Sequence, residues 1–419
     1  MHKFQQSKWS SLFLSNFLGV FNDNLLKNSV IFISITWTLP AWLTQSQLIT
    51  LVSASLILPY LIFSPYAGKL SVIYSKKKVF VLFKLLEIPI MLVACLAFYF
   101  EWVGLSIFSV LLMGIQSSLY SPSKYGLIRD IGGEEGVSYG SGVFETMAFL
   151  GILIGTIVGA FISELNNNLL VFALFIGIAM LGYIVTKSIR VSELPEDKNY
   201  KETINPIKFI KSSFQLALQY KYVNSAVFGA ASFWMIGGML QMNLVIHSKQ
   251  FYQTSNTTSG IIMSFAAIGI ALGCWFAGKI SGGKVLKGLI LIGISGMTVL
   301  FILLAFVKMS LIFFTINVFL VAFLGGFFQI PCLALIQQSD LGRKLGEIIG
   351  YLNLVTFIFV LLGTLIYGLT NYLSGENSFI VFGVIAILCF LVSIYYILIS
   401  PVFLKETIML FRNKKNIGV

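Results

Sequence analysis

Apolar runs of twenty or more residues recur along this chain, and they limit its fold more than any other feature. A helix needs about 20 apolar residues to cross a bilayer core of about 30 Å. Inside hydrocarbon, only helices and closed barrels satisfy their own backbone polar groups. The runs are continuous, whereas barrel strands alternate, so the pattern predicts helices. Twelve spans are expected, over about 10–38, 47–67, 79–100, 103–124, 137–163, 168–187, 222–247, 257–279, 286–307, 310–336, 347–371 and 378–403. The composition agrees: 57% of residues are hydrophobic and only 11% charged, against about 25% charged in soluble domains. The expected class is an all-α membrane protein of twelve transmembrane helices. The first run has no short core followed by a small-residue cleavage site and carries two charges, so no cleavable signal peptide is expected.

A net charge of +12 raises the question of nucleic acid, but the placement of the charge answers it. Of the 28 Lys and Arg, 24 fall at the two termini or in alternate loops and their edges, as at Lys76, Lys77 and Lys78, Lys208 and Lys211, and Lys414 and Lys415. Lys249 and Lys308 alone occupy the other loops, and Lys27 and Lys84 lie within spans. This asymmetry places both termini in the cytoplasm, so the basic balance reports topology and implies no nucleic-acid partner. Some of these lysines are placed to touch anionic headgroups of the membrane lipid. Cys95, Cys274, Cys332 and Cys389 all fall in spans without CxxC spacing and read as small apolar residues. The chain has no GxxxxGK[ST], HExxH or GxSxG motif, so no catalytic residue, cofactor or metal is expected, and the chain is not expected to be an enzyme.

The two halves of the chain repeat each other. "YAGKLS" at 66–71 returns as "FAGKIS" at 276–281, an offset of 210. Gly142, Phe149 and Gly155 return as Gly350, Phe357 and Gly363 at an offset of 208, and Pro122 returns as Pro331 at 209. Six spans bring a chain back to its starting side, so the repeat is parallel, about an axis along the membrane normal. The expected domains are an N-terminal six-helix bundle over 1–190, a cytoplasmic linker over 191–221 and a C-terminal six-helix bundle over 222–419. Within the linker, "PIKFIKSSFQLALQY" has helical apolar spacing and lysines, so it reads either as a membrane-surface helix or as a plain tether.

Twelve spans, the six-and-six division and the "AGK" loop followed by Lys76 to Lys78 resemble the major facilitator superfamily. Val72 stands where that pattern has an Asp. Within the superfamily, "FLGVFNDN" in the first span, "YSPSKYGLI" at 120–128, "GVFET" at 142–146, "FWMIGGML" at 233–240 and "GGFFQIPCLALIQQ" at 325–338 resemble the bacterial lysophospholipid transporters. The resemblance implies transfer of lysophospholipid, lysophosphatidylethanolamine above all, from the outer to the inner leaflet of the bacterial inner membrane for reacylation. It also implies a separate acyltransferase as a candidate partner. No fused acyltransferase is expected, because the chain ends at Val419 soon after the last span, and His2 and His247 form no His-x4-Asp motif. A monomer is expected.

Polar residues inside spans are the candidate substrate-binding residues. Asp23 and Lys27 are spaced i, i+4 and can pair, with Asn16 on the same face. They line either a wet central cavity or a buried pair that only locks packing. Lys124 follows Pro122, and the resemblance implies that it meets the substrate phosphate or gates the site; the plainer reading is positive-inside anchoring. Glu145, whose repeat partner is Asn353, would bind an ammonium, take up a proton, or pair with Arg343 or Lys344 as a gate. Gln241 and Asn243 occupy the repeat equivalent of the Asp23 region. Gln241 stands where related members carry an Arg, which leaves Lys27 as the substitute cation. Trp234 reads equally as packing or cavity wall. Lys84 and Glu87, spaced i, i+3, are expected to snorkel and pair locally. Gly151, Gly155 and Gly159, with Gly269 and Gly273, read as helix packing or as a seam between the halves.

Two other functions remain open on the residues alone. One is proton-coupled export of amphiphilic drugs or metabolites with Asp23 or Glu145 carrying the proton. The other is a non-transporting membrane partner of a lipid acyltransferase.

Overall fold

The computed structural model describes residues 6–412 except 35, 36, 38, 42, 166, 202 and 203. His2, Lys414 and Lys415 lie outside the described residues. Thirteen α-helices and one 3-10 turn follow in order: α1 (Gln6–Ser34), α2 (Gln45–Ile73), α3 (Lys76–Tyr99), α4 (Val103–Glu164), α5 (Asn168–Lys187), α6 (Pro206–Leu218), α7 (Val223–Gln250), α8 (Asn256–Ser281), α9 (Gly288–Phe306), α10 (Leu311–Gln338), the turn (Gly342–Lys344), α11 (Leu345–Leu373), α12 (Ser378–Ile399) and α13 (Pro401–Arg412). Ten described helices are long and apolar enough to cross a membrane. One of them, α4, covers the fourth and fifth expected spans and breaks at Gly133, where φ is 60° and ψ is −162°. That conformation is open to glycine and strained for other residues, and it breaks the helix between the two expected spans. Helix α1 falls outside the ten, because its polar residues dilute its hydropathy.

The chain forms two compact units that do not follow its halves at two places. The first holds residues 1–131, 150–216 and 341–354; the second holds 132–149, 217–340 and 355–419. The boundaries at 149/150 and 354/355 fall inside α4 and α11, so each of these helices belongs to both units.

In the first unit, α5 packs on α1 and α3. Its core is aromatic: Phe98 meets Trp37 edge-on at 5.3 Å and Phe175 edge-on at 5.6 Å. Such pairs add about 0.5–1.5 kcal/mol beyond their area. Gly151, Gly155 and Gly159 take α4 onto α1. A Cβ at Gly155 would stand 2.5 Å from the Phe21 carbonyl oxygen, and one at Gly151 3.0 Å from that of Phe17. Residues 341–354 join this unit through α2. A Cβ at Gly350 would stand 2.8 Å from the Ser64 carbonyl oxygen and 3.0 Å from Gly68 Cα.

The second unit is built the same way. Helix α8 lies on α10, where Gly273 and Gly326 admit the facing backbones of Phe323 and Cys274. Helices α9 and α12 pack on each other, and α7 packs on α10 and α12. The segment 132–149 lies on α8: a Cβ at Gly142 would stand 2.7 Å from the Cys274 carbonyl oxygen, and Thr146 Oγ1 donates to the Ala271 carbonyl at 3.0 Å. A Cβ at Gly363 of α11 would stand 3.1 Å from the Met235 carbonyl oxygen of α7. The two glycine rows expected as a seam are therefore packing within units, on α1 and on α10. The close glycine pairs are Gly68 with Gly350 and Gly142 with Gly278.

The described linker residues up to 216 belong to the first unit. Glu193 accepts from Ser75 Oγ at 2.7 Å and from the backbone amides of Lys76 at 2.6 Å and Lys77 at 3.0 Å. It thus supplies the anion that a helix N-terminus favours. Arg343 donates to the carbonyls of Pro195 and Tyr74, each at 2.9 Å, and to that of Leu194. Glu347 at the start of α11 accepts from Ser213 Oγ of α6 at 3.0 Å and from the Tyr200 hydroxyl. In α6, Phe209 is buried while Ile207 is 80% exposed.

Gly155→Leu is expected to destabilise the folded protein by about 1–3 kcal/mol through overpacking. Gly177→Leu, at a position where a Cβ meets nothing within 4 Å, is expected to leave stability unchanged. Unfolding followed by circular dichroism in detergent checks both.

Candidate functional site

The first unit buries a polar network across α1, α3 and α4. Helix α1 contributes Asn16, Asn22, Asp23 and Asn28 from one membrane-length helix. The Asp23 carboxylate accepts from Ser117 Oγ at 3.0 Å. Gln116, the preceding residue, donates to the Phe83 carbonyl of α3 at 2.8 Å. One turn further along α4, Tyr120 stacks on Phe80 with centroids 5.1 Å apart. Lys124 follows after another turn. Its ammonium donates to Asn16 Oδ1 at 3.1 Å and lies over the rings of Tyr120 at 5.4 Å and Tyr125 at 5.6 Å. Facing aromatic rings and an amide oxygen are favourable neighbours for a cation at low dielectric.

Lys84 and Glu87 extend the network. They pair at 2.5 Å with exposures of 0% and 1%, and Asn22 Nδ2 donates to the other Glu87 oxygen at 2.6 Å. The expected local pairing is present, but the expected snorkelling is not. Lys84 lies eight residues beyond Lys76, about 12 Å along the helix, and it turns inward against Gly19 and Gly182. That depth was the signal available in the sequence. Ser117 and Gln116 carried no such signal, because Ser and Gln are common on any helix face.

Other sequence-marked residues have separate places. Lys27 is half-buried on α1 and, among the described residues, forms no ion pair within 4.0 Å, so the anticipated contact with Asp23 is not made. Asn28 Nδ2 donates instead to Thr156 Oγ1 of α4 at 3.0 Å. Asn353, the repeat partner of Glu145, donates to Ser121 Oγ at 3.0 Å within the first unit. Glu145 is 2% exposed and belongs to the second unit, one residue before Thr146. Gln241, also in the second unit, is exposed. Asn243 is structural: its amide donates to the Ser378 carbonyl at 2.9 Å, tying α7 to α12. Trp234 stacks on Phe149 at 5.9 Å, which makes it packing within its unit. Arg343 is held by the linker carbonyls described above. Among the described residues, no group of three or more His, Cys, Asp or Glu is placed to hold a metal ion. The four cysteines are buried and free.

Residues 12–364 match the family model of the Major Facilitator Superfamily. The chain belongs to that superfamily. Among curated proteins it is 26% identical over 373 residues to the lysophospholipid transporter LplT of Photorhabdus laumondii, covering 86% of this chain and 87% of that one. It is 27% identical over 348 residues to LplT of Escherichia fergusonii, covering 81% and 82%. Among solved structures, the human organic anion transporter MFSD10 superposes with a TM-score of 0.71 at 14% identity over 93% of this chain and 99% of that one. The fucose:proton symporter FucP of E. coli superposes with a TM-score of 0.73 at 12% identity over 94% and 99%. The superfamily member described here is thus a multi-pass membrane transporter and not an enzyme.

Breaking a buried ion pair costs about 3–5 kcal/mol because one charge is stranded. Lys84→Met is therefore expected to destabilise strongly, and adding Glu87→Gln to restore a large part of the loss. Denaturant unfolding of both variants in the same detergent checks the order.

Proposed function

We propose that this transporter moves lysophospholipid, lysophosphatidylethanolamine or a close analogue, from the outer to the inner leaflet of a bacterial inner membrane. In this reading the two sequence halves, 1–190 and 222–419, rock about the linker over 191–221, with twelve spans and both termini cytoplasmic. It acts as a monomer, with a separate acyltransferase as the consumer of its product. Asp23, Lys27, Lys124 and Asn16 line the polar route on the first half, and Glu145 and Gln241 on the second.

The single observation that carries the reading is the placement of Lys124. It sits within "SPSKYG", the stretch that most resembles lysophospholipid transporters, and it is buried with its ammonium fixed by Asn16 and two tyrosine rings. A compact ammonium at low dielectric suits a phosphate, and a lysophospholipid joins such a phosphate to one apolar chain. Support also comes from relatives named lysophospholipid transporter that align over most of the chain.

The test is flipping of labelled lysophosphatidylethanolamine in vesicles. Wild type is expected to exceed empty vesicles clearly, and Lys124→Met to lower the rate at least about tenfold, the scale of losing one desolvated charge-assisted contact. Correctly folded protein that flips no faster than empty vesicles would falsify the proposal.

One observation favours proton-coupled export as the second reading. Asp23 Oδ1 is buried and meets no protein donor among the described residues, so the carboxyl has room for a proton. Substrate efflux driven by a pH gradient and lost in Asp23→Asn is the outcome expected from that reading.

A further inference from the structure

Beside the polar network, the first unit carries a groove of about 630 Å3 between α3 and α5, lined by Lys77, Lys78, Leu82, Leu85, Tyr183 and Lys187 among others. Its two ends differ in chemistry. At one end three lysines converge from the first turn of α3 and the last turn of α5. Along α3, Lys78, Leu82 and Leu85 follow at i, i+4 and i+7, the spacing of one helix face. Leu82 is 53% exposed and Leu85 44%, and they form an apolar floor that runs about 10 Å away from the lysines. A small polar anion has no use for that floor, and an uncharged chain has no use for that collar.

The local charge balance leaves the collar positive. Lys78 pairs with Glu196 at 3.1 Å, but Lys78 is 78% exposed and an exposed pair is weak. Among the described residues Lys77 and Lys187 have no acidic partner within 4.0 Å. Glu193 also lines the groove, yet its oxygens are engaged by Ser75 and by the first backbone amides of α3, with Arg343 at 3.8 Å. The α3 N-terminus is therefore already capped from within the chain, and the lysine ammoniums are the groups that face the groove. By contrast, the groove of about 550 Å3 between α9 and α12, lined by residues such as Ile302, Phe306 and Phe390, has no charged rim and so offers nothing to select a headgroup.

We propose that the α3–α5 groove is a binding site for an intact anionic diacyl phospholipid from the leaflet at the lysine-rich end. Its phosphate sits among Lys77, Lys78 and Lys187, and one acyl chain lies along Leu82 and Leu85. Tyr183 stands at the boundary, where an amphipathic ring fits between headgroup and chain. The site is distinct from the Lys124 region and does not require lysophospholipid transport. Because Lys78 and Ser75 also hold the linker, an occupied groove would act on the same segment that contacts Arg343.

The test is native mass spectrometry of the full chain in detergent, with phosphatidylglycerol and phosphatidylcholine of identical acyl chains. Wild type is expected to retain one phosphatidylglycerol in preference to phosphatidylcholine, since a surface-proximal lysine contributes about fivefold to anionic lipid binding. Lys77→Gln/Lys187→Gln, which leaves the Lys78–Glu196 pair intact, is expected to lower that preference by roughly 25-fold, the product of two such lysine contributions. The Arg versions of both positions are expected to keep it. Equal retention of the two lipids by wild type, or an undiminished preference in the double Gln variant, would overturn the site. So would complete displacement by glycerol phosphate alone, which would make it a phosphate site without a lipid.

Discussion

Where two membrane helices must lie backbone to backbone, nothing larger than a hydrogen fits between them, and much of this structure is arranged around a few such places. Gly68 faces Gly350, and Gly142 faces Gly278. Lipid tails are as apolar as leucine, so helices in a membrane gain little from hiding apolar side chains and associate through close contact instead. The two glycine pairs are repeat images of one another, since 68 corresponds to 278 and 350 to 142. They also explain why the compact units cut across the sequence. In α4, residues 132–149 lie on α8 and residues from 150 on α1; in α11, residues up to 354 lie on α2 and those beyond on α7. Each of these helices contributes residues to both units.

The polar network of the first unit follows from the same solvent. A charge or amide inside hydrocarbon costs several kcal/mol unless it finds a partner. The structure meets this demand with neighbours on three helices: Asn22 with Glu87 and Lys84, Asp23 with Ser117, and Lys124 with Asn16. Lys84 and Glu87 pair within α3, and the other partners join α1 to α3 or to α4, so the network is complete only when all three helices are in place. The polar residues thereby specify the register of α1, α3 and α4, even where hydrophobic packing alone would tolerate sliding.

Much of this was legible in the amino-acid order. The apolar runs gave helices because their length and continuity leave no other structure in a bilayer. The repeat offsets marked Gly142 and Gly350 as equivalent, and the structure places them in equivalent contacts. Other features were hidden for physical reasons. Spacing puts Asp23 and Lys27 on one face, but it cannot say that a serine from another helix is nearer to the acid. Lys84 and Glu87 looked like an end-of-helix pair because neighbouring lysines suggested an interface; the depth of Lys84 along the helix argued against that, and the positions of Gly19 and Gly182 show where the lysine turns. The glycine rows announced close approach without naming the partner, since GxxxG spacing describes one surface and not the surface opposite. Asn243 resembled a cavity residue by repeat position, yet a carbonyl at the start of α12 claims it.

The Arg343 junction has an evolutionary corollary. Its guanidinium grips main-chain oxygens of residues 74, 194 and 195, and every amino acid offers the same oxygen. Side chains at 74, 194 and 195 are therefore free to drift without weakening the grip, whereas Glu193 is held by its carboxylate. A single deletion between Lys187 and Pro195 would instead pull Glu193 off the α3 amides and the carbonyls off the arginine together. Chain length and one carboxylate are what this joint inspects.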